Sequence, residues 1–237
     1  MKPCGRIGIA DSRTKRPLKI AMQVDFRLYL ITDRRKTRGR SLAAVVEDAL
    51  QGGVRAVQFR EKDLPPEELY RLAVELRRLT LLYDAKLLIN GSPDIARDVN
   101  ADGVHLQASA PLLENAREIL GPERLIGISC HSLDSAKGAE KRGVDFITFG
   151  PVFYTPSKAA YGNPVGLERL AETATTLSIP VFGLGGINES NISPVMASGA
   201  HGVALISSIM AADQPKAAAR NMLEILRTGG CSSEFIK

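Results

Sequence analysis

Eight short apolar runs recur between residues 26 and 206, and a segment with helical periodicity follows each of them. The runs are about four to seven residues long and rich in Val, Ile, Leu and Phe, which is typical of β-strands. They are Phe26 to Thr32, Val54 to Phe59, Leu87 to Asn90, Gly103 to Leu106, Leu125 to Ser129, Asp145 to Phe149, Pro180 to Leu184 and Gly202 to Ile206. This alternation predicts an α/β fold with parallel strands joined by helices.

The segments between the runs carry apolar residues at helical spacing. The clearest follows Pro65 and Pro66, which favour a helix start, and places Leu69, Leu72, Ala73, Leu76 and Leu79 on one stripe. The other predicted helices are Leu42 to Gln51, Asp94 to Val99, Leu112 to Leu120, Leu133 to Lys141, Leu167 to Leu177, Ser190 to Ala197 and Ala217 to Arg227. Eight strands and eight helices predict a single-domain (β/α)8 TIM barrel, with a doubly wound sheet as the alternative.

The barrel is expected to span residues 25 to 228, since no linker interrupts them. Residues 1 to 24 form a basic leader that we expect to be disordered, and Met22 is an alternative start. Residues 229 to 237 are expected to fray. The leader has no apolar run after its basic residues, so it does not resemble a secretory signal, and a cytoplasmic location is expected.

The net charge of +5 is concentrated near the N-terminus: residues 1 to 40 hold 12 Lys and Arg against 3 Asp. This basic stretch has no interleaved aromatic residues, so a nucleic-acid partner is not expected. No apolar stretch of about 18 residues occurs, which argues against a membrane span. Three widely spaced cysteines favour neither a disulfide framework nor a zinc site.

The second apolar run ends in a cationic stretch. Because strand side chains alternate between two faces, Gln58, Arg60 and Lys62 share one face, opposite Val57 and Phe59. An amide and two cations on one face indicate an anion-binding surface, which suggests a phosphorylated substrate.

Two later strands end in residues suited to phosphate. Strand 7 leads into Gly185 and Gly186, and strand 8 leads into Ile206 and Ser207 at a helix start. Glycine allows backbone N–H groups to approach a phosphate closely, and barrels of this type often bind phosphate after strands 7 and 8. The alternative is that the glycines only form tight turns.

Strand 5 carries the strongest candidate for proton transfer. Its alternation points Ser129 toward the barrel mouth, with His131 just past the strand, while Cys130 faces the helices as a packed thiol. An imidazole can give or take a proton at neutral pH, so His131 is the expected acid and base. His105 is expected inside the barrel, and His201 at the opposite face.

Polar residues at two other strand ends complete the candidate site. Asn90 ends strand 3, and the loop from Gly150 to Pro164 brings Thr155, Ser157 and Lys158 toward the mouth. The loop is long enough to act as a lid.

Motifs along residues 26 to 225 together resemble the thiamine-phosphate synthase family, including its thiazole tautomerase branch. They are Tyr29-Leu30-Ile31-Thr32-Asp33, Val57-Gln58-Phe59-Arg60-Glu61-Lys62, Leu88-Ile89-Asn90, Gly103-Val104-His105-Leu106, Gly127-Ile128-Ser129, Gly150-Pro151-Val152-Phe153 with Thr155 and Lys158, and Gly185-Gly186-Ile187. The resemblance implies a barrel that joins a pyrimidine diphosphate to a thiazole phosphate and releases pyrophosphate.

The resemblance also implies a role for each site residue. The pyrophosphate would be held by Arg60, Lys62, Asn90 and Lys158, and the pyrimidine by Gln58. The thiazole phosphate would contact Thr155 and Ser157, and the backbones of Gly185, Gly186, Ile206 and Ser207 would cradle phosphate.

The chain departs from the synthase pattern at the two Mg²⁺ ligands. Gly91 stands where synthases have an Asp after the strand 3 Asn, and Gln107-Ala108-Ser109-Ala110 replaces the stretch that carries the second carboxylate. The tautomerase branch needs no metal, and a histidine at the position of His131 moves the protons there. We therefore expect a metal-independent thiazole carboxylate phosphate tautomerase without a cofactor, with His131, Ser129 and Lys62 as its catalytic residues.

Two alternatives remain open: a divergent synthase, which would use Mg²⁺, and a barrel that binds a thiamine precursor without catalysis. The expected partners are small molecules, namely a phosphorylated thiazole and, for a synthase, a pyrimidine diphosphate. A homo-oligomer is compatible with the sequence.

Overall fold

The computed structural model describes residues 24–108, 112–155 and 163–228, and in it eight parallel strands form a closed barrel in chain order. The strands are β1 (Leu28–Ile31), β2 (Ala56–Phe59), β3 (Lys86–Asn90), β4 (Gly103–Gln107), β5 (Leu125–Cys130), β6 (Phe146–Phe149), β7 (Val181–Leu184) and β8 (Gly202–Leu205). Each overlaps a predicted run, and the bounds differ by at most two residues. The (β/α)8 prediction is confirmed, and the doubly wound alternative is wrong because β8 pairs with β1.

Helices surround the barrel in the described ranges. They are α1 (Leu42–Gln51), α2 (Pro66–Leu82), α3 (Pro93–Asp98), α4 (Leu112–Leu120), α5 (Leu133–Lys141), α6 (Gly166–Thr176), α7 (Ile192–Ala197), α8 (Ser207–Met210) and α9 (Pro215–Thr228), with a 3₁₀ turn at Arg34–Lys36. The four-residue α8 begins at Ser207, where the sequence predicts a helix start, and it lies between β8 and α9. None of these helices is long and apolar enough to cross a membrane.

Strand alternation divides the buried residues into two cores. Val57, Phe59 and Cys130 belong to the layer between the strands and the helices, whereas Tyr29, Phe146 and other inward-facing residues fill the barrel. Gly127 makes room for this filling, because a Cβ there would lie 2.4 Å from Cζ of Phe146 and 2.6 Å from Nδ1 of His105. The lower barrel is therefore packed solid, as is usual for this fold.

Two carboxylates brace the N-terminal ends of the strands, which we call the base. Asp102 accepts hydrogen bonds from the backbone N–H of Leu87 (2.8 Å) and from Arg77 (2.6 Å). Asp145 repeats the arrangement with the backbone N–H of Ile126 (2.7 Å) and with Arg117 (2.9 Å). Each aspartate thereby ties an arginine of a preceding helix to the start of a strand.

The described residues leave some predictions untouched. The basic leader up to residue 23, the tail from residue 229, Ser109 and Ala110, and the loop residues Ser157 and Lys158 lie outside them.

Candidate active site

The second strand supplies an amide inside the barrel and cations above it. Strand β2 ends at Phe59, so Arg60 and Lys62 lie in the turn that follows and not in the strand itself. Gln58 is 1% exposed and donates from Nε2 to the hydroxyl of Tyr29 at 3.2 Å. The predicted common face is thus divided: Gln58 belongs to the barrel interior, Arg60 is half-buried and Lys62 is exposed.

A chain of buried polar groups continues from Tyr29 across the barrel. The Tyr29 hydroxyl lies 3.4 Å from Nδ1 of His105, and Nε2 of His105 lies 3.0 Å from Oγ of Ser129. Thr148 donates its hydroxyl to Ser129 at 3.2 Å. His105 is therefore an interior polar side chain, as predicted.

Burial keeps His105 neutral. Burial, with a smaller contribution from the positive charge of Arg60, lowers the pKa of His105 to about 3. An uncharged imidazole is the form that a buried hydrogen-bonded site favours.

The carboxylate of Glu61 locks the loops after β1 and β2 together. It is 7% exposed and accepts from the Thr32 hydroxyl at 2.8 Å and from the backbone N–H of Arg34 at 3.1 Å. The same Thr32 oxygen accepts from the backbone N–H of Arg60 at 2.9 Å. Burial raises the pKa of Glu61, and the hydrogen bonds oppose this change. Glu61 thereby fixes the backbone that carries Arg60 and Lys62.

The basic loop after β1 is engaged by the protein itself. Arg34 and Arg35 both bind Asp63, and their hydrogen bonds hold its pKa well below the ordinary value. Arg40 donates to the backbone carbonyl of Ala212 at 2.7 Å, just after α8. These arginines of the basic loop therefore have binding partners within the protein itself.

Strand β5 presents its residues with the predicted alternation. Gly127 and Ser129 face the interior, whereas Cys130 is fully buried among the residues that pack against the helices. Burial raises the pKa of the Cys130 thiol to about 11, so the thiol is not activated as a nucleophile. The packed-thiol prediction is confirmed.

His131 lies directly after β5 and directly before Ser132, which caps α5. Its Nδ1 contacts the backbone carbonyl oxygen of Gly150. A carbonyl only accepts hydrogen bonds, so Nδ1 carries the proton and Nε2 of the neutral ring is the proton acceptor. The side chain is exposed at the C-terminal end of the barrel, which we call the mouth. A fixed tautomer at the mouth is the arrangement that a general base requires.

The glycines after β7 leave room for the loop that follows β6 to pack closely against them. Gly185 and Gly186 have φ of +100° and +67°, and a Cβ would lie 2.6 Å from Cβ of Pro151 and 2.7 Å from Cβ of Phe153, respectively. Phe153 donates its N–H to the Gly185 carbonyl at 3.1 Å. The close approach of two backbones accounts for both glycines, and their phosphate role stays a prediction.

The remaining candidates lie at the same end of the barrel. Asn90 ends β3 beside His105, Ile206 precedes α8 and Ser207 begins it. Thr155 is half-buried and is the last residue described before the loop at 156–162. The described candidate residues thus come from six strands and the loops after them.

Comparison with known proteins identifies the family. The thiamine monophosphate synthase family model matches residues 28–209. The chain belongs to this family. A putative thiamine-phosphate synthase of Geobacter sulfurreducens is 57% identical over 204 residues, covering 86% of this chain and 96% of the relative. The thiamine-phosphate synthase of Clostridium novyi is 43% identical, covering 86% and 100%.

A solved structure agrees with the sequence relatives. The thiamine phosphate pyrophosphorylase from Pyrococcus furiosus is 37% identical and superimposes with a TM-score of 0.78, covering 86% of this chain and 96% of that one. The resemblance read from the motifs is confirmed at the level of the family.

The described residues do not fit the Mg²⁺ site that the resemblance associates with synthases. Gly91 has φ of +76°, and no atom lies within 4 Å of the position that a Cβ would take. In the described ranges no group of three or more His, Cys, Asp or Glu side chains is placed to hold a metal ion. Asp94 lies in the first turn of α3, where it pairs with Arg97, and Asp102 lies at the base.

Sequence reasoning missed three polar residues at or below the candidate site. Tyr29 and Thr148 alternate inward on their strands, so parity alone identifies them as interior polar residues. Glu61 gave no such signal, because it follows the strand and its partners are distant in sequence.

Proposed function

We propose that this enzyme of thiamine biosynthesis isomerises a thiazole carboxylate phosphate without a metal ion. The observation that carries the proposal is the tautomer of His131, whose Nδ1–H is bound by the Gly150 carbonyl so that Nε2 is left as a base at the mouth. A tautomerisation removes a proton at one ring position and returns one at another. It has no leaving group whose charge must be neutralised, so the chemistry matches a site with Gly91 in place of a carboxylate.

The cations at the mouth supply the binding energy in this proposal. Arg60 and Lys62 follow a strand whose loop is fixed by Glu61, and Asn90 ends the next strand. These groups would bind the carboxylate of the substrate, because charge-assisted hydrogen bonds to carboxylates are strong. Backbone groups at Gly185, Gly186, Ile206 and Ser207, with Thr155, Ser157 and Lys158 of the β6 loop, would bind the phosphate.

The polar chain inside the barrel would position the ring of the substrate. Ser129 is held by His105 and Thr148, so its hydroxyl has a defined orientation on the strand that ends beside His131. Neutral His105 adds no charge to the floor of the site. In this proposal Ser129 donates or accepts a hydrogen bond as the ring changes its bonding, and Lys62 stabilises the negative charge that develops.

A second candidate is a divergent thiamine-phosphate synthase. It is favoured by the similarity to proteins named thiamine-phosphate synthase and by the cationic turn that carries Arg60 and Lys62. A synthase would release pyrophosphate, whose charge Mg²⁺ usually neutralises. The described residues offer cations at the mouth, and no group of three or more His, Cys, Asp or Glu side chains among them is placed to hold that ion.

Two assays on the purified full chain distinguish these reactions. One supplies the unaromatised thiazole carboxylate phosphate with a chelator, and the other supplies pyrimidine diphosphate and thiazole phosphate with and without Mg²⁺. Isomerisation in the chelator without pyrophosphate release in the second assay supports the tautomerase. Mg²⁺-dependent pyrophosphate release without isomerisation overturns it, and tight binding without either reaction indicates a barrel that only binds the precursor.

A further inference from the structure

A line of polar side chains inside the barrel ends at Ser129, below the mouth. Gln58, Tyr29 and His105 are at most 2% exposed. They connect in that order to Ser129, which is half-buried. Thr148, 1% exposed, joins the line at Ser129. Groups buried this deeply satisfy their hydrogen bonds with one another, so the direction of each bond depends on its neighbours.

The direction of the line is set at Gln58. Its Nε2 group can only donate, and it donates to the Tyr29 hydroxyl at 3.2 Å. Burial raises the pKa of Tyr29, so the hydroxyl keeps its own proton and has to donate it elsewhere. Nδ1 of His105 lies 3.4 Å away and accepts that hydrogen bond. A neutral imidazole whose Nδ1 accepts carries its proton on Nε2.

The same direction continues to Ser129. The Nε2–H group of His105 donates to Oγ of Ser129 across 3.0 Å, and Thr148 donates to the same oxygen at 3.2 Å. Both lone pairs of the Ser129 hydroxyl are then occupied from inside the barrel. Its proton is left to be donated, and the half-buried Ser129 can donate it toward the mouth.

We propose that Ser129 acts toward the ligand only as a hydrogen-bond donor, and that Tyr29 and His105 are positioning residues that impose this direction. The ligand then has to present an acceptor to Ser129. The identity of the acceptor rests on the proposed function, in which cations bind the carboxylate and the loops after β6, β7 and β8 bind the phosphate. The thiazole ring lies between them, and its nitrogen is the ring atom that accepts hydrogen bonds. The proposal therefore assigns the ring nitrogen to the Ser129 hydroxyl.

NMR of the isotope-labelled full chain, correlating ring protons with ring nitrogens, tests the direction without any ligand. The chain has three histidines, so His105→Gln and His201→Gln suffice to assign their signals. His105 is expected as the Nε2–H tautomer, the opposite of His131, whose Nδ1 contacts the Gly150 carbonyl. In Tyr29→Phe the Nδ1 atom loses its donor, and a mixture of both tautomers is expected. An Nδ1–H tautomer of His105 in the wild type, or a pure Nε2–H form in Tyr29→Phe, would overturn the proposal.

Titration calorimetry with two ligands tests the contact with the ring. The ligands are thiazole phosphate and its thiophene analogue, in which C–H replaces the ring nitrogen. The wild type is expected to bind thiazole phosphate about five- to ten-fold more tightly. Ser129→Ala should abolish this preference and Ser129→Thr should keep it, while Ser178→Ala, at an exposed serine, is the matched control.

Neither measurement depends on turnover, so both remain interpretable if the isomerisation assay of the proposed function fails. Equal affinities of the wild type for the two ligands would overturn the assignment of the ring nitrogen. A preference for thiazole phosphate that survives Ser129→Ala would overturn it as well.

Discussion

The two ends of the barrel use buried charge in opposite ways. At the base, Asp102 and Asp145 each accept hydrogen bonds from an arginine and a backbone N–H, so both carboxylates have partners within the protein. At the mouth, the carboxylate of Glu61 accepts hydrogen bonds from Thr32 and the backbone of Arg34, and the positive charge of Arg60 helps to keep the pKa of His105 low. The base of the barrel thus joins helices to strands, whereas the mouth carries cations and His131, the candidate for proton transfer.

This difference assigns a role in stability to residues at the base and a role in function to residues at the mouth, although both ends belong to one sheet. In barrels of this type the C-terminal face carries the chemistry and the N-terminal face supports the fold. The contrast implies that substitutions at the base change the free energy of unfolding, while substitutions at the mouth change turnover and affinity.

Asp102→Ala at the base is expected to lower the free energy of unfolding by about 3 kcal/mol, because it leaves Arg77 and the N–H of Leu87 without their acceptor. Chemical denaturation measures the change, and Glu123→Ala, an exposed carboxylate, is the control. Activity of the folded Asp102→Ala protein should stay within about two-fold of wild type. A loss of turnover without a loss of stability would contradict the division between the two ends.

His105 should make the protein less stable in acid. Its pKa in the folded protein, about 3, lies below the ordinary value of 6.5, so the unfolded chain binds the additional proton as pH falls between these values. Stability is therefore greatest above the ordinary pKa and falls on the order of 2 kcal/mol between about pH 6.5 and 4.5. Denaturation at several pH values should show a shallower fall for His105→Gln. Parallel curves would mean that His105, despite facing Tyr29, Ser129, Thr148 and Arg60, does not govern this slope.

Arg60→Met should raise KM for the phosphorylated substrate about 10- to 100-fold, because it removes a charge-assisted contact while keeping the apolar stem of the side chain. Steady-state kinetics measures KM, and the midpoint of thermal unfolding should move by no more than about 2 °C. Arg169→Met, an exposed arginine on α6, is the control. An unchanged KM would remove Arg60 from the binding site.

Glu61→Gln should have the mildest effect, a loss of affinity of about three- to ten-fold. The amide retains an acceptor for Thr32 but only one oxygen, so the contact with the Arg34 N–H is weakened. Thr32→Val removes the other half of the same contact and should reproduce the change. If both variants bind substrate as tightly as wild type, Glu61 does not set the position of Arg60 and Lys62.

The sequence predicts the barrel well because each strand is short, apolar and separated from the next by a clear helix. Alternation also predicts the faces of strand β5, where Ser129 points inward and Cys130 outward. It also predicts the inward face of Gln58, but the strand ends at Phe59, so the exposed Lys62 does not share that buried face. The Glu61 contacts depend on the pairing of β1 with β2, which brings the loops after these strands together, and local sequence pattern does not predict them.

The most direct measurement is the rate of isomerisation of the thiazole carboxylate phosphate, in chelator, by wild type and by His131→Asn. Asparagine keeps a donor for the Gly150 carbonyl but has no basic nitrogen, so the loop contact is retained and the proton transfer is lost. We expect wild-type turnover to persist in chelator and to fall at least about 100-fold in His131→Asn, with thermal unfolding unchanged. Isomerisation that stops in chelator, or that survives in His131→Asn, would contradict a metal-independent reaction driven by His131.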